Sequence, residues 1–169
     1  FLRPTAETLI KHGADLGVVT QSGRTSLHSL CMNEDCEPKL LDDLLDSMLQ
    51  KNPLDYPQYP HGKFKILEGI ASFIYKRGKR GNLIEHLVLI NKSSALHATV
   101  RRGDAACSDL LLKRGADTRQ KNAGKMDVHD VCQLCGPFET LSDELKASEA
   151  VGKGNMGKAE GVTPQQQIV

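Results

Sequence analysis

A short phrase that the chain uses twice constrains its fold more than any other feature. Gly13-Ala14-Asp15 and Gly115-Ala116-Asp117 each follow an apolar run, Thr8-Leu9-Ile10-Lys11 in the first case and Leu110-Leu111-Leu112-Lys113 in the second. Such runs predict helices, and a glycine after each one suits the left-handed conformation in which many helices end. The two glycines lie 102 residues apart. This distance equals three steps of about 34 residues, so it predicts a helical array of repeated units.

A second motif follows ten residues after the first glycine. Gly23-Arg24-Thr25-Ser26-Leu27-His28 resembles the opening Gly-x-Thr-Pro-Leu-His of ankyrin repeats, with serine in place of proline. More altered copies read Ser94-Ala95-Leu96-His97, Gly124-Lys125-Met126-Asp127-Val128-His129 and Gly62-Lys63-Phe64-Lys65-Ile66-Leu67. The chain is therefore identified as a member of the ankyrin repeat family. The resemblance implies an all-α, ankyrin-repeat solenoid of stacked helix-turn-helix units, with projecting finger loops and a concave face that binds proteins.

The motif residues have definite physical roles. The hydroxyl of Thr25 or Ser94 can accept a hydrogen bond from a free N–H in the first helical turn. The resemblance implies that His28, His97 and His129 bond to the local backbone and to the neighbouring repeat. Gly13 and Gly115 are predicted to end their helices in the left-handed conformation, and Asn52 is predicted to fill the same position in the next repeat.

The resemblance implies about four and a half repeats within residues 1–150. Residues 1–15 would be the last helix of an incomplete first repeat, and we expect the sequence to be a fragment of a longer protein. The other repeats are predicted at about 22–54, 62–91, 94–117 and from 126, the third and fifth being degenerate, with a final helix near 139–148. About six extra residues are predicted at 33–38, between the helices of repeat two. Residues 151–169 contain few apolar side chains and are predicted to be a disordered tail.

Composition excludes several classes of partner. The formal net charge is +1, with 25% charged and 39% hydrophobic residues, so we expect neither nucleic acid nor membrane binding. Five cysteines form no small-domain disulfide pattern. Cys31, Cys107 and Cys132 are predicted to be buried thiols that act as small apolar groups in a reducing compartment. We expect a monomeric, intracellular, cytoplasmic protein, with the nucleus as an alternative.

The predicted partner-binding site lies in the finger of repeat two. This finger holds two of the three tyrosines of the chain, and Pro53, Pro57 and Pro60 stiffen it, which lowers the entropic cost of binding. Exposed tyrosines are favoured interface anchors and charged residues often form the rim. The predicted binding residues are Tyr56, Tyr59, His61, Lys63, Arg24 and Arg119. In the alternative interpretation, the tyrosines fold back on the repeat and are structural.

Two other motifs have a functional and a simpler interpretation. Cys132-Gln133-Leu134-Cys135, with His129 three residues earlier, could hold a metal or sense thiol oxidation, but no fourth ligand is near. The simpler interpretation is a helix with two core-facing thiols. The basic run Lys76-Arg77-Gly78-Lys79-Arg80-Gly81 could be a nuclear-import signal or could contact an acidic partner, and the simpler interpretation is a solvated turn.

No set of residues predicts catalysis. The chain has no glycine-rich phosphate loop and no nucleophile placed on a strand, so we expect no enzymatic activity, no metal ion and no cofactor. The expected function is a protein–protein interaction module, a scaffold or adaptor that binds its partner through the finger loops and the concave helix face. The alternatives are the regulatory ankyrin region of a multidomain protein (a ubiquitin-ligase receptor, kinase or channel) and a C-terminal Cys/His metal or thiol sensor.

Overall fold

The computed structural model describes residues 2–50, 53–78 and 81–136, together with residues 143, 145 and 147. Within these residues the structure is all-helical and contains no strand, as predicted. The helices in chain order are α1 Leu2–Lys11, α2 Ser26–Cys31, α3 Pro38–Leu49, α4 Lys63–Lys76, α5 Asn82–Ile90, α6 Ala95–Arg102, α7 Ala105–Lys113 and α8 Val128–Cys135. None of them has the length and apolar composition needed to cross a bilayer.

Several predictions fall on other parts of the chain. The predicted cap residue Asn52 and the predicted tail 151–169 lie outside the described residues. The same holds for most of the predicted final helix near 139–148, of which residues 143, 145 and 147 are helical and Leu145 is fully buried in the core.

The helices form two stacked layers. The inner layer is α2 against α6 and α6 against α8, and in the outer layer α3 packs against α7. Each repeat pairs one inner with one outer helix, α2 with α3 and α6 with α7. The core between the layers is formed by leucines that are almost completely buried, among them Leu27, Leu41, Leu96 and Leu111. Because each unit buries its apolar face only against its neighbours, the stack is a single cooperative solenoid.

Local hydrogen bonds explain where the helices begin and end. The hydroxyl of Thr25 accepts the N–H of His28 at the start of α2, as predicted. At the start of α8, the carboxylate of Asp127 accepts the N–H of Asp130, whose own carboxylate accepts the N–H of Asp127. Such reciprocal pairs satisfy two N–H groups that lack a helical partner. The predicted left-handed ends are also confirmed, with φ of 79° at Gly13 and 90° at Gly115.

Two buried histidines join successive repeats. The Nε2 atom of His28 lies 2.9 Å from the carbonyl oxygen of Ser93, and its Nδ1 lies 2.9 Å from the hydroxyl of Thr25. In the same way, His97 contacts the hydroxyl of Ser94 and, at 3.4 Å, the carbonyl of Met126. The predicted role of His28 and His97 is therefore confirmed. Ser93, however, directly precedes repeat four, and α2 packs against α6, so repeat two stacks directly on repeat four.

The turns between repeats show how repeat two can stack directly on repeat four. We number the fingers in chain order: finger one precedes α2, finger two follows α3 and finger three precedes α8. In finger one, the N–H of Thr20 donates to the carbonyl of Arg24, and the carbonyl of Thr20 accepts the N–H of Gly23. Asn122 makes the equivalent two bonds to Met126 and Lys125 in finger three. In finger two, the same two bonds join Gln58 to Ser93 and Lys92, across 34 intervening residues. The residue that donates its N–H in the second of these bonds has positive φ in each finger, 79° at Gly23, 58° at Lys92 and 62° at Lys125.

Residues 59–92 are thus an insertion at the tip of finger two, and we call them the insert. Its helices α4 and α5 pack mainly on each other. The expectation that residues 62–91 form the third stacked repeat is therefore wrong in one respect: the two helices form, but they do not lie between the helix pairs of repeats two and four. The spacing of 102 residues between Gly13 and Gly115 combines this insert with the longer repeat two. In repeat two, the linker Met32–Glu37 exceeds the Gly103–Asp104 linker of repeat four, as predicted, and α3 is also longer than α7.

The cysteines lie where the repeats pack. Cys31, Cys36, Cys107 and Cys132 are buried free thiols, as predicted for three of them. Cys107 of α7 lies with its sulfur 3.9 Å from that of Cys36, in the linker before α3. Burial raises the pKa of the Cys31 thiol, so this side chain acts as a small apolar group.

We predict that the stack folds without the insert. Replacing residues 59–92 by Gln-Ser-Gly, the tip of finger one, preserves the bonded pair Gln58 and Ser93 and should yield a protein that unfolds in one cooperative transition. The far-ultraviolet circular dichroism should fall only by the contribution of α4 and α5. A variant that shows no cooperative urea transition would place the insert within the stack.

We also predict that the stack loses stability in mild acid because of His97. Burial lowers the pKa of this imidazole to about 4, below the ordinary value of about 6.5. The unfolded state therefore binds more protons between these values, so the contribution is complete above pH 6.5 and is lost as the pH falls towards 4. It should amount to about 3 kcal/mol for a shift of this size. Urea melts between pH 7 and 4 should fall less steeply for His97→Asn than for the parent chain.

Candidate protein-binding surface

The three fingers lie side by side and are joined by hydrogen bonds. His61 donates its N–H to the carbonyl of Gln21 at 2.9 Å, which joins finger two to finger one. Ala123 of finger three donates to the carbonyl of Asn91 at 2.8 Å, on the return side of the insert. Because each finger is bonded to its neighbour, the tips form one ordered edge. We call this row, residues 20–24, 53–61 and 117–125, the finger edge.

Fingers one and two approach most closely at Gly23. Its backbone has φ of 79°, and a Cβ built there would lie 2.0 Å from the carbonyl oxygen of Tyr59. Glycine is therefore required at this position twice, for its conformation and for the close contact. The contact fixes the backbone of Tyr59, while its side chain remains 47% exposed.

The structure separates the two tyrosines of the finger. Tyr59 is exposed, whereas Tyr56 is half-buried and its ring meets the ring of His28 edge to face, with centroids 6.5 Å apart. Such edge contacts are favourable because the positive edge of one ring faces the negative face of the other. Tyr56 thus folds back on repeat two, and Tyr59 presents its ring to solvent.

The other four predicted residues lie on the three fingers and at the start of α4. His61 and Lys63 are exposed and lead directly into α4, where the Lys63 ammonium lies 5.7 Å from the centroid of the Phe64 ring. Arg24 is half-buried at the base of finger one, next to Gly23. Arg119 is exposed on finger three, with its Nε atom 3.6 Å from a carboxylate oxygen of Asp117. The structure therefore places four predicted residues on fingers one and two, Lys63 at the start of α4 and Arg119 on finger three.

Sequence reasoning missed the role of Asp55. Its carboxylate accepts the N–H of Asp117 at 2.9 Å, and its carbonyl accepts the side-chain amide of Gln120. These bonds hold finger two against finger three. Burial raises the pKa of Asp55. An aspartate before a tyrosine in a proline-rich loop was the only signal available.

Sequence reasoning also missed an apolar surface on the insert. Of the ten large hydrophobic side chains that are exposed in the described part of the chain, seven lie in residues 59–92. Apart from Tyr59, which the sequence predicted, they are Phe64, Ile66, Leu67, Ile70, Phe73 and Leu83. A concentration of this kind marks an interaction surface more often than a chance exposure. The sequence of α4 contained one signal of this surface: the helix has more apolar residues than a single core-facing stripe can hold.

The alternative sites receive no support from geometry. Among the described residues, no group of three or more His, Cys, Asp or Glu side chains is placed to hold a metal ion. Burial raises the pKa of both Cys132 and Cys135, which lowers thiol reactivity at neutral pH. In the basic run, Lys76 and Arg77 are exposed at the end of α4, and Gly78 turns the chain with φ of 77°.

Comparison with known proteins supports the repeat architecture. Residues 91–123 match the family model described as Ankyrin repeat. This segment contains α6, α7 and most of finger three. No curated protein matches the chain.

We predict that alanine is tolerated less well at Gly23 than at Gly13. Both residues have φ of 79°, but a Cβ at Gly13 would meet no atom, whereas at Gly23 it would meet the backbone of Tyr59. Gly13→Ala should therefore cost only the conformational penalty of about 1–2 kcal/mol. Gly23→Ala should cost more, because the two fingers must separate. Urea melts of the two variants measure the difference, and equal losses would disprove the close contact.

Proposed function

We propose that the chain, whose residues 91–123 match the Ankyrin repeat model, is a protein-binding module whose partner contacts the finger edge. One observation carries this proposal. The hydrogen-bonded fingers present an exposed tyrosine, Tyr59, and the exposed cationic residues Lys63 and Arg119 lie four residues further along the chain and on finger three. An aromatic anchor with a polar rim is the usual composition of a protein interface.

The rigidity of the finger edge supports the same proposal. Binding requires that side chains and loops be ordered, and this cost is smaller where the backbone is already fixed. Here Gly23 fixes the backbone of Tyr59, and Asp55 fixes finger two against finger three. Tyr56 contributes indirectly, since it packs on His28 and supports the loop from below.

We propose a binding rather than a catalytic role, as a scaffold or adaptor or as the regulatory region of a larger protein. All five cysteines are free thiols, which supports a reducing, intracellular compartment, the cytoplasm or the nucleus. The nearly neutral net charge of +1 supports a protein partner over nucleic acid and membranes.

The proposal is tested by a surface variant and a matched control. Proteins captured from a cell extract by the parent chain would be purified and their affinity measured by calorimetry. Tyr59→Ala with Arg119→Ala should weaken binding by about 2 kcal/mol, because anchor residues dominate interface energies. Lys39→Ala with Lys113→Ala, on the outer helices, should leave affinity unchanged. Equal affinity of the two double variants would place the binding site elsewhere.

Tyr56 provides a separate test of the division between the tyrosines. Tyr56→Ala should lower the free energy of unfolding by about 1 kcal/mol, the worth of an edge-to-face ring contact, whereas Tyr56→Phe should keep parent stability. Tyr59→Ala should leave the urea midpoint unchanged, because its ring is exposed. A destabilised Tyr59→Ala would show that Tyr59 is structural.

A further inference from the structure

Helix α4 carries an apolar stripe that the fold leaves exposed. Ile66, Ile70 and Phe73 are 67%, 52% and 55% exposed. Their spacing of i, i+4 and i+7 places them on one face of the helix. The opposite side of α4 packs inward through Ala71, which is 4% exposed. The helix therefore has apolar residues on two faces, and only one of these faces packs within the insert.

The apolar stripe is accompanied by basic residues. Lys65 and Lys76 are exposed on the adjacent face, at i and i+11, and Lys63 and Arg77 stand near its two ends. The guanidinium of Arg77 lies over the ring of Phe73, 4.2 Å from its centroid. The acidic residue of α4, Glu68, is half-buried and lies 4.0 Å from the ammonium of Lys92. The exposed charged residues of α4 are therefore all basic.

Gly69 is a second, independent sign of a partner. It lies in the middle of α4 between the apolar stripe and the lysine face, is exposed, and a Cβ there would meet no atom. Glycine within a helix costs about 0.5–1 kcal/mol relative to alanine. Gly69 has no positive φ, and the chain leaves room for a Cβ at this position, so nothing within the chain requires glycine here. A glycine at such a position permits another backbone to approach closely.

We propose that α4 binds an acidic amphipathic helix of a partner protein. The apolar side chains of that helix would cover Ile66, Ile70 and Phe73, and its backbone would pass close to Gly69. Its glutamates or aspartates would pair with Lys65 and Lys76 along one side. Contacts at i, i+4 and i+7 are those by which amphipathic helices bind one another. This surface is distinct from the finger edge and its assignment does not depend on Tyr59.

Two other occupants fit the stripe less well. A second copy of the chain would bring two basic surfaces together, since Lys63, Lys65, Lys76 and Arg77 would face their own equivalents. A lipid surface fits less well, because the stripe extends over only about two turns, or about 10 Å. Binding to a membrane interface strengthens with the apolar area that is buried, and tryptophan is common on the apolar face of such helices. The chain contains no tryptophan.

The test uses two constrained helical peptides of about 20 residues, a length at which a helix can persist. Both have leucines at helical spacing, one with glutamates on its flanks and the other with lysines. Fluorescence anisotropy with the whole chain should show at least tenfold tighter binding of the glutamate peptide. Lys65→Glu with Lys76→Glu should reverse this preference. Absence of binding, or equal binding of both peptides by the parent chain, would overturn the proposal.

Gly69→Ala provides the sharpest variant, because it should move stability and binding in opposite directions. Its melting temperature should rise, since alanine favours a helix, while its affinity for the glutamate peptide should fall at least fivefold. Ile70→Ser with Phe73→Ser should abolish binding, and Leu134→Ser, an exposed apolar residue of α8, should not. Unchanged affinity of Gly69→Ala would refute the close approach.

Two further measurements distinguish the other occupants. Sedimentation with phosphatidylserine vesicles that depends on Ile70 and Phe73 would show that the stripe binds a membrane and not a partner helix. Concentration-dependent dimerisation that Ile70→Ser with Phe73→Ser abolishes would show that the stripe binds a second copy of the chain. Either result would overturn the proposal without affecting the finger edge, which is tested through Tyr59 and Arg119.

Discussion

The contact between His28 and the carbonyl of Ser93 determines how the repeats are arranged. The two residues are 65 positions apart, and the chain between them contains three further helices, α3, α4 and α5. Yet the carbonyl must lie within hydrogen-bonding distance of the His28 Nε2 atom, because a buried ring nitrogen without a partner is costly. The insert is compatible with this contact because Gln58 and Ser93 close it with the bonds of an ordinary finger tip. Closing a longer loop costs little additional entropy, since the cost grows only with the logarithm of length.

Features that depend on local chemistry could be predicted from the sequence. The cap at Thr25 and the left-handed ends at Gly13 and Gly115 follow from a few neighbouring residues. The bonding of His28 and His97 to the next repeat was implied by the resemblance to ankyrin repeats. The order of stacking could not be predicted, because α4 and α5 have the apolar pattern of a repeat and their length happens to preserve a multiple of the repeat period. Periodicity shows that a helix has an apolar face, but it does not show which other helix covers that face.

The candidate site shows the same limit. Composition identified the tyrosines of finger two, but the difference between them arises from distant residues. Tyr56 is half-buried because His28 lies beneath it, and Tyr59 is held outward because Gly23 contacts its backbone. The exposed stripe of α4 was hidden for a related reason: once residues 62–91 are interpreted as a stacked repeat, their apolar residues are assigned to the core.

The insert and the finger edge are joined through a short segment. Tyr59 and Lys63 are separated by three residues, and His61 between them is bonded to finger one. A partner on α4 would therefore be held close to the finger edge, and a second contact there would form at high effective concentration. This gain requires a fixed geometry between the two surfaces, which the Gln58–Ser93 pair and the His61–Gln21 bond supply at the base of the insert. Loosening that base, rather than altering either surface, should therefore reduce the combined affinity of a partner that contacts both.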